Sequence, residues 1–164
     1  MSKRDTTFVA GNAARAAFGE SSRLREETLV NIDLDALMDV QRSFLPGLIG
    51  MRYVEASKDR LVAELTIRDE LRTVGGALHG GTIMAFADTV GATATFLNLP
   101  PGASTTTLES KTNFFAAGRD GVVRAEATPL HRGRSTMVWQ TRVTDASGRL
   151  LAQTIQTQMV LAPR

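Results

Sequence analysis

The sequence predicts an α+β domain in which an antiparallel sheet wraps around one long central helix. First, residues 82–97 are apolar or small on almost every side, which predicts a buried helix. Second, the segments flanking this helix alternate with a period of two, which predicts strands. Third, turn signals separate those strands, as is typical of antiparallel pairs. A sheet that curls around the helix covers all of its apolar sides.

The composition is that of an ordinary globular domain. The 164 residues suffice for one good core, and 43% of them are hydrophobic and 22% charged. The net charge of +2 is spread without a basic run, so we expect no nucleic-acid partner. No stretch is long and apolar enough to span a membrane and no secretion signal is recognisable, so we expect no membrane partner and a cytoplasmic location.

Cysteine and histidine content limits the available chemistry. The chain has no cysteine, which excludes disulfides, thiol nucleophiles and cysteine metal sites. Its only two histidines, His79 and His131, exclude a multi-histidine metal site within one chain. We therefore expect no metal and no cofactor.

The N-terminal part carries little pattern. We predict an N-terminal extension over residues 1–46. Residues 1 to about 30 would be mobile or loosely docked, with a short helix near 13–18, and a second short helix would lie near 33–45. Asn31 or Asp33 would cap the second helix, and Pro46-Gly47 would stop it. The predicted domain then occupies residues 47–164.

Six strands are predicted within that domain. Strands at 51–56 and 61–68 form a hairpin near Lys58-Asp59, and the second strand alternates between a core face and an outer face that includes Val62. A loop over residues 69–78 leads into the central helix. Four strands follow the helix as consecutive hairpins, over residues 105–116, 122–130, 136–145 and 150–161.

One charged residue, Asp88, interrupts the central helix. Burial of an ionised carboxylate without a partner is costly, so this acid needs a reason. Because successive residues of a helix are rotated by about 100°, Asp88 lies on a different face of the helix from the apolar residues that form the core. The Asp88 face holds Met84, Gly91, Ala92 and Thr95, and the core face holds Ile83, Phe86, Val90, Ala94 and Leu97. Since Gly91 and Ala92 are small, we expect the carboxylate to face open space.

The turn before the helix adds a second feature, the sequence His79-Gly80-Gly81. Backbone N–H groups in the first turn of a helix have no intrahelical partner and carry the positive end of the dipole. Gly80 and Gly81 leave these donors accessible, and such donors polarise carbonyl oxygens. Together with Asp88, the pattern is compatible with acyl chemistry. It is equally compatible with a tight glycine turn, a structural histidine and an acid at a wet helix edge.

The element order and this motif resemble the hotdog-fold acyl-CoA thioesterases, most closely the phenylacetate-pathway type, over residues 46–161. The resemblance implies that Asp88 is the catalytic carboxylate, acting as general base on water or as nucleophile. It also implies that the N–H groups of Gly80 and Gly81 polarise the thioester carbonyl, and that His79 orients the thioester or its loop.

Two positions depart from the family pattern. Thr73 stands where relatives often carry Asn or Gln, and Ala92 stands where some carry Ser or Thr. Thr73 would still position a water molecule or the thioester, with less reach. The departures bear on the rate and on water handling rather than on the type of reaction.

The resemblance also implies a coenzyme A site. Arg132, Gly133, Arg134 and Ser135 form a basic turn that would lie near the nucleotide phosphates, for which arginine offers several fixed donors. Asn113 would lie near the pantetheine. The alternatives are a solvated basic turn and an ordinary exposed strand residue. Trp139 is expected in the core.

The predicted function is hydrolysis of an acyl-CoA thioester to a free acid and coenzyme A, which enters as part of the substrate. The alternatives are a hotdog dehydratase or hydratase, and a non-catalytic acyl-CoA-binding or regulatory domain. Aromatic and short or medium aliphatic acyl groups are not distinguished. Exposed sheet edges favour self-association, and the resemblance implies a homodimer that assembles into a homotetramer.

Overall fold

The computed structural model describes residues 32–163, so the helix predicted near residues 13–18 lies outside the described part. The described elements are α1 (Leu34–Asp39), α2 (Leu45–Ile49), β1 (Met51–Ala56), β2 (Leu61–Thr66), a short 3-10 helix (Asp69–Leu71), α3 (Gly80–Phe96), β3 (Ser104–Phe114), β4 (Val122–Arg132), β5 (Thr136–Thr144) and β6 (Leu150–Leu161). None of the helices in this part is long and apolar enough to cross a membrane.

The six strands form one antiparallel sheet in the order β1-β2-β4-β5-β6-β3, and α3 packs against it. Ile83, Phe86, Val90 and Ala94 of α3 are buried, as the helical spacing predicted. Trp139 of β5 is fully buried beneath the helix, which confirms its place in the core. The predicted architecture, a sheet around one apolar helix, is therefore confirmed, and it is the hotdog fold.

The prediction of four consecutive hairpins after the helix is wrong for β3. This strand pairs with β6, whereas β4 pairs with β2 and β5. The segment that follows β3 therefore crosses to the other half of the sheet instead of forming a hairpin. Turn residues report that the chain changes direction, but they carry no information about which strand edge becomes the partner. As a result, β1 and β3 are the edge strands of the sheet.

The single helix predicted over residues 33–45 is two short helices. Asp33 caps α1, since its carboxylate accepts from the N–H groups of Asp35 and Ala36, both at 3.0 Å. Pro46 does not stop a helix: it lies in the first turn of α2, where the missing N–H would have no partner in any case. Gly50, at φ 75°, ends α2 in the left-handed conformation.

The domain boundary predicted at residue 46 divides residues that belong to one hydrophobic core. Leu37 and Met38 of α1 are buried in the same apolar cluster as Ile49 and the strand residues. The two short helices thus pack onto the sheet and α3 rather than lying apart from them. Val62, predicted on the outer face of β2, is also fully buried, so this strand is covered on both sides at that point.

Candidate active site

The helix α3 begins with a histidine cap. His79 has extended backbone angles, and its Nδ1 accepts the N–H of Gly81 at 2.9 Å. Its own N–H donates to the carbonyl of Leu71 at 2.8 Å, which fixes the loop to the helix start. A ring that accepts at Nδ1 is neutral and carries its proton on Nε2. His79 is therefore both a structural cap and an exposed donor.

This cap divides the first-turn amides into two groups. The N–H of Gly81 is engaged by His79, whereas the N–H groups of Gly80 and Thr82 have no acceptor among residues 32–163. The nearest side-chain atoms to a Cβ built on Gly80 belong to the ring of Phe114, at 3.5 Å. Gly80 and Thr82 therefore present the unengaged donors at the positive end of the helix dipole.

Asp88 lies half-buried in the middle of α3, and its neighbour on the sheet is Gln156. The Gln156 amide donates to Asp88 Oδ1 at 3.3 Å and to the Asp88 carbonyl oxygen at 3.2 Å. A Cβ on Gly91 would lie 2.2 Å from Gln156 Oε1, so this amide fills the space that the glycine leaves. The open space predicted beside Gly91 is therefore wrong, because a strand residue far along the chain occupies it.

Open space is present on the other side of Asp88, between α3 and the C-terminal end of α1. This pocket has a volume of about 380 Å³ and is mainly apolar. Of the described residues that line it, Asp88 alone is charged. The lining consists of Leu37, Val40, Gln41, Asp88, Thr89, Ala92, Thr93 and Phe96. A carboxylate at the wall of an apolar pocket is suited to act on a ligand held there.

A polar cluster lies at the Thr93 end of this pocket. The hydroxyl of Tyr53 donates to Gln41 Oε1 at 3.0 Å and lies 2.8 Å from the hydroxyl of Thr93. Burial raises the pKa of Tyr53, and the hydrogen bonds with Thr93 and Gln41 oppose that change. Thr93 lies about 7.5 Å along the helix axis from Asp88, since the two are five residues apart. The pocket thus has a carboxylate near one end and neutral hydrogen-bonding groups near the other.

Thr73 and Asn113 lie in the part of the chain around the start of α3. Thr73 sits in an exposed turn, in which its N–H donates to Ala77 and its carbonyl accepts from Gly76. Asn113 is exposed on β3, next to Phe114, whose ring lies against Gly80. Both positions are on the chain segments that surround the helix donors.

The predicted phosphate-binding residues lie at the opposite end of α3. Arg132 ends β4, pairs with Asp59 at 2.5 Å and donates to Asn98, which follows the helix. The turn itself therefore begins at Gly133 and includes Arg134 and Ser135. Arg134 pairs with no carboxylate among residues 32–163. Within one chain, a helix of 17 residues, about 25 Å long, separates His79 from this turn.

Sequence reasoning missed three residues around Asp88. Tyr53 and Gln41 lie in segments read only as a strand and a helix, and their meeting with Thr93 depends on how these segments pack. One feature of the sequence could have identified Gln156. It is a large polar residue at an inward position of β6, where an alternating strand is expected to place an apolar side chain. Among residues 32–163, no group of three or more potential metal ligands comes together.

Comparisons with known proteins point to one family. The profile of the thioesterase superfamily matches residues 75–152. The 1,4-dihydroxy-2-naphthoyl-CoA hydrolase of Escherichia coli is 29% identical over 130 residues, which cover 79% of this chain and 96% of that protein. The enzyme of the same name from Listeria monocytogenes is 30% identical over 107 residues, covering 65% of this chain and 87% of that protein. A mutant thioesterase from Pseudomonas aeruginosa has a similar structure, with a TM-score of 0.78 at 27% identity, over 82% of this chain and 97% of that one.

Proposed function

Because this chain belongs to the thioesterase superfamily and is a thioester hydrolase, we propose that it hydrolyses an acyl-CoA thioester, with Asp88 as the catalytic carboxylate. The observation that carries the proposal is the position of Asp88, the one charged side chain among the described residues that line an apolar pocket. The acyl group occupies this pocket, and the thioester carbonyl lies against the carboxylate. Water supplies the oxygen of the free acid, and coenzyme A leaves as the thiol.

Asp88 takes one of two roles in this reaction. As general base it accepts a proton from water while the water oxygen attacks the carbonyl carbon. As nucleophile it attacks that carbon itself and forms an anhydride, which water then hydrolyses. In both cases negative charge develops on the carbonyl oxygen, and a helix N-terminal amide stabilises it. Gly80 is our candidate for this donor, with the Nε2–H of His79 beside it.

The donor and the carboxylate of one chain do not meet at one carbonyl. Gly80 and Asp88 are eight residues apart on α3, which separates them by about 12 Å along the axis. We therefore propose that each active site combines Asp88 of one protomer with His79 and Gly80 of a second copy. The sheet edge supports self-association, since β3 is a long edge strand with exposed apolar residues such as Leu108 and Phe114.

The spacing of residues along α3 supports a position for the two-fold axis of such a dimer. Met84 is midway between Gly80 and Asp88 on the same stripe of α3, and 43% of its surface is exposed. Two antiparallel copies of α3 related by an axis near Met84 bring Gly80 of each chain opposite Asp88 of the other. The same operation moves the basic turn at Arg134 of one chain towards the helix start of its partner. The tetramer implied by the family resemblance remains a prediction.

The pocket favours an aromatic acyl group that carries a hydroxyl substituent. Its apolar wall, with Leu37, Val40 and Phe96, suits a flat ring. The polar groups of Gln41 and Thr93, which are hydrogen-bonded to each other and to Tyr53, lie at the far end. Two of the relatives named above, from Escherichia coli and Listeria monocytogenes, are 1,4-dihydroxy-2-naphthoyl-CoA hydrolases, and the acyl group of that thioester is of this kind. Phenylacetyl-CoA and aliphatic acyl-CoAs are the competing substrates.

The test is free-thiol release from a panel of hydroxylated aromatic, plain aromatic and aliphatic acyl-CoAs. We expect the hydroxylated aromatic thioesters to have the highest kcat/KM. Asp88→Asn, which keeps the size and removes the charge, should lower kcat by at least about 100-fold while the protein stays folded. Saturable binding without turnover by the native chain would instead indicate a binding or regulatory domain. Unchanged turnover in Asp88→Asn would exclude Asp88 as the catalytic carboxylate.

A mixing experiment tests the shared site. Gly80→Pro removes the N–H at the first helical position, where proline is well accommodated, and Gly80→Ala is the control that keeps it. Each of Asp88→Asn and Gly80→Pro should be nearly inactive alone. Co-refolded heterodimers contain one intact site, so the mixture should recover about one quarter of native activity. No recovery, with heterodimers demonstrated, would place both groups in one chain or neither in the site.

A further inference from the structure

Gln156 is a buried polar residue whose contacts converge on Asp88. It lies on β6 with 0% of its surface exposed, between the sheet and α3. Carboxylate and carbonyl oxygens only accept hydrogen bonds, so the Gln156 atom that faces both Asp88 oxygens is the amide nitrogen. The side-chain amide of Gln156 thus donates both to the carboxylate and to the backbone carbonyl of Asp88.

Gly91 is what allows this contact. Its missing side chain leaves room for the Gln156 amide against the helix, since a Cβ there would lie 2.2 Å from Oε1 and 2.5 Å from the amide carbon. Gly91 is buried within a helix, where glycine is less favourable than alanine. A glycine in this position therefore has a packing reason, and the reason is Gln156.

The other half of the Gln156 amide is unsatisfied. Its Oε1 is buried and has no hydrogen-bond partner among residues 32–163. Gln158, two positions along β6 and equally buried, differs in this respect. Its Nε2 donates to Thr107 at 2.8 Å and its Oε1 accepts from Thr105 at 3.1 Å. Gln158 is thus satisfied within the sheet, whereas Gln156 leaves an acceptor unmet to keep its donors on Asp88.

We infer that Gln156 is a positioning residue for the reaction: it holds the Asp88 carboxylate in the orientation required for attack, through the gap provided by Gly91. The inference rests on the proposed function, in which Asp88 is the catalytic group. With Oδ1 held from the sheet side, the second carboxylate oxygen remains for the water molecule or the thioester on the pocket side. A fixed carboxylate is already in a productive orientation when the substrate binds. Gln156 lines neither the pocket nor the proposed thioester contacts, so its effect is on turnover.

The test compares Gln156→Met with Gln158→Met in the full-length protein. Both substitutions replace a buried amide of β6 by an apolar side chain of similar length. Gln156→Met should lower kcat for the best acyl-CoA by about tenfold, as expected when a charged group loses a hydrogen bond, and leave KM within about twofold. Gln158→Met should leave both constants close to native. Equal losses of kcat in the two variants would reduce Gln156 to a structural residue and overturn the inference.

A spectroscopic readout separates this inference from the proposed function. The carboxyl carbon signal of Asp88, assigned through its loss in Asp88→Asn, is compared by NMR between the native protein and the two variants at one pH. Loss of the amide donor to Oδ1 should move this signal in Gln156→Met but not in Gln158→Met. A displaced signal in a protein without hydrolytic activity would preserve the contact and reject the function. A signal that stays in place would overturn the inference even in an active enzyme.

Gly91→Ala tests the same contact from the helix side. The new methyl group must displace the Gln156 amide, so kcat should fall at least as far as in Gln156→Met. If Gly91→Ala does not fold, the double variant Gly91→Ala/Gln156→Ala removes the clash and should fold with low kcat. Native kcat in this folded double variant would contradict the positioning role.

Discussion

The two faces of α3 differ in what they contribute to the protein. The face towards the sheet consists of Ile83, Phe86, Val90 and Ala94, which are almost fully buried and form part of one apolar core. The face towards α1 carries Asp88 and lines the pocket. One face therefore holds the helix in place by burying apolar area, and the other uses that fixed position to present a carboxylate.

The comparison teaches that hydrophobicity alone does not separate packing from function on this helix. Two pairs of identical residues on α3 show this: Ala92 with Ala94, and Phe86 with Phe96. In each pair, one residue is buried in the core and the other lines the pocket. Matched substitutions within these pairs test the distinction directly.

The largest expected difference is between Phe86→Ala and Phe96→Ala. Phe86 is 0% exposed and Phe96 is 62% exposed. Loss of the Phe86 ring leaves a cavity and should lower the free energy of unfolding by about 3–5 kcal/mol. Phe96→Ala should change it by no more than about 0.5 kcal/mol. Urea unfolding measures both values, and similar losses in the two variants would contradict the assignment of the faces.

A smaller effect is expected when the alanines are enlarged. Ala94→Leu overpacks the core and should cost about 1–3 kcal/mol of stability. Ala92→Leu extends into the pocket instead, so stability should stay near native. Its kcat/KM should fall about 10- to 100-fold for aromatic acyl-CoAs and much less for acetyl-CoA. An unchanged preference between these substrates would show that the acyl group does not occupy this pocket.

The smallest effect concerns the polar cluster at the Thr93 end of the pocket. Burial raises the pKa of Tyr53 above its ordinary value of 10.0, against the lowering effect of its hydrogen bonds with Thr93 and Gln41. The unfolded chain therefore ionises first as the pH rises. The contribution of this shift to stability is full below the unfolded pKa and is lost as the pH rises through the folded pKa.

Replacement of Tyr53 by Phe should remove this dependence. The unfolding free energy of Tyr53→Phe should decline less than that of the native protein between about pH 8 and about pH 11. Tyr53 is the only tyrosine of the chain, so ultraviolet titration follows its ionisation directly. A titration that coincides with that of free tyrosine would show that burial does not shift this group.

The strands and the central helix were predictable because each depends on local alternation. The core face of α3 and the strand β6 at Leu150–Leu161 follow the predicted pattern closely. The prediction failed where the outcome depends on a distant partner, since β3 pairs with β6 rather than with β4. It also failed at Pro46, which was predicted to end a helix and lies instead in the first turn of α2. The start of α3 was predicted only in part. The motif at His79 was identified from the sequence, but the hydrogen bond from the Gly81 N–H to the His79 ring was not.

The sequence by itself determined the fold class, the single acid of the central helix and the glycine motif before it, because these follow from periodicity and from residue types at short spacing. Only the tertiary structure decided that Gln156 reaches Asp88 through Gly91, and that Gln41, Tyr53 and Thr93 meet at one end of a pocket. Contacts of this kind join residues far apart in sequence, and their geometry is fixed by the packing of whole elements rather than by any local pattern.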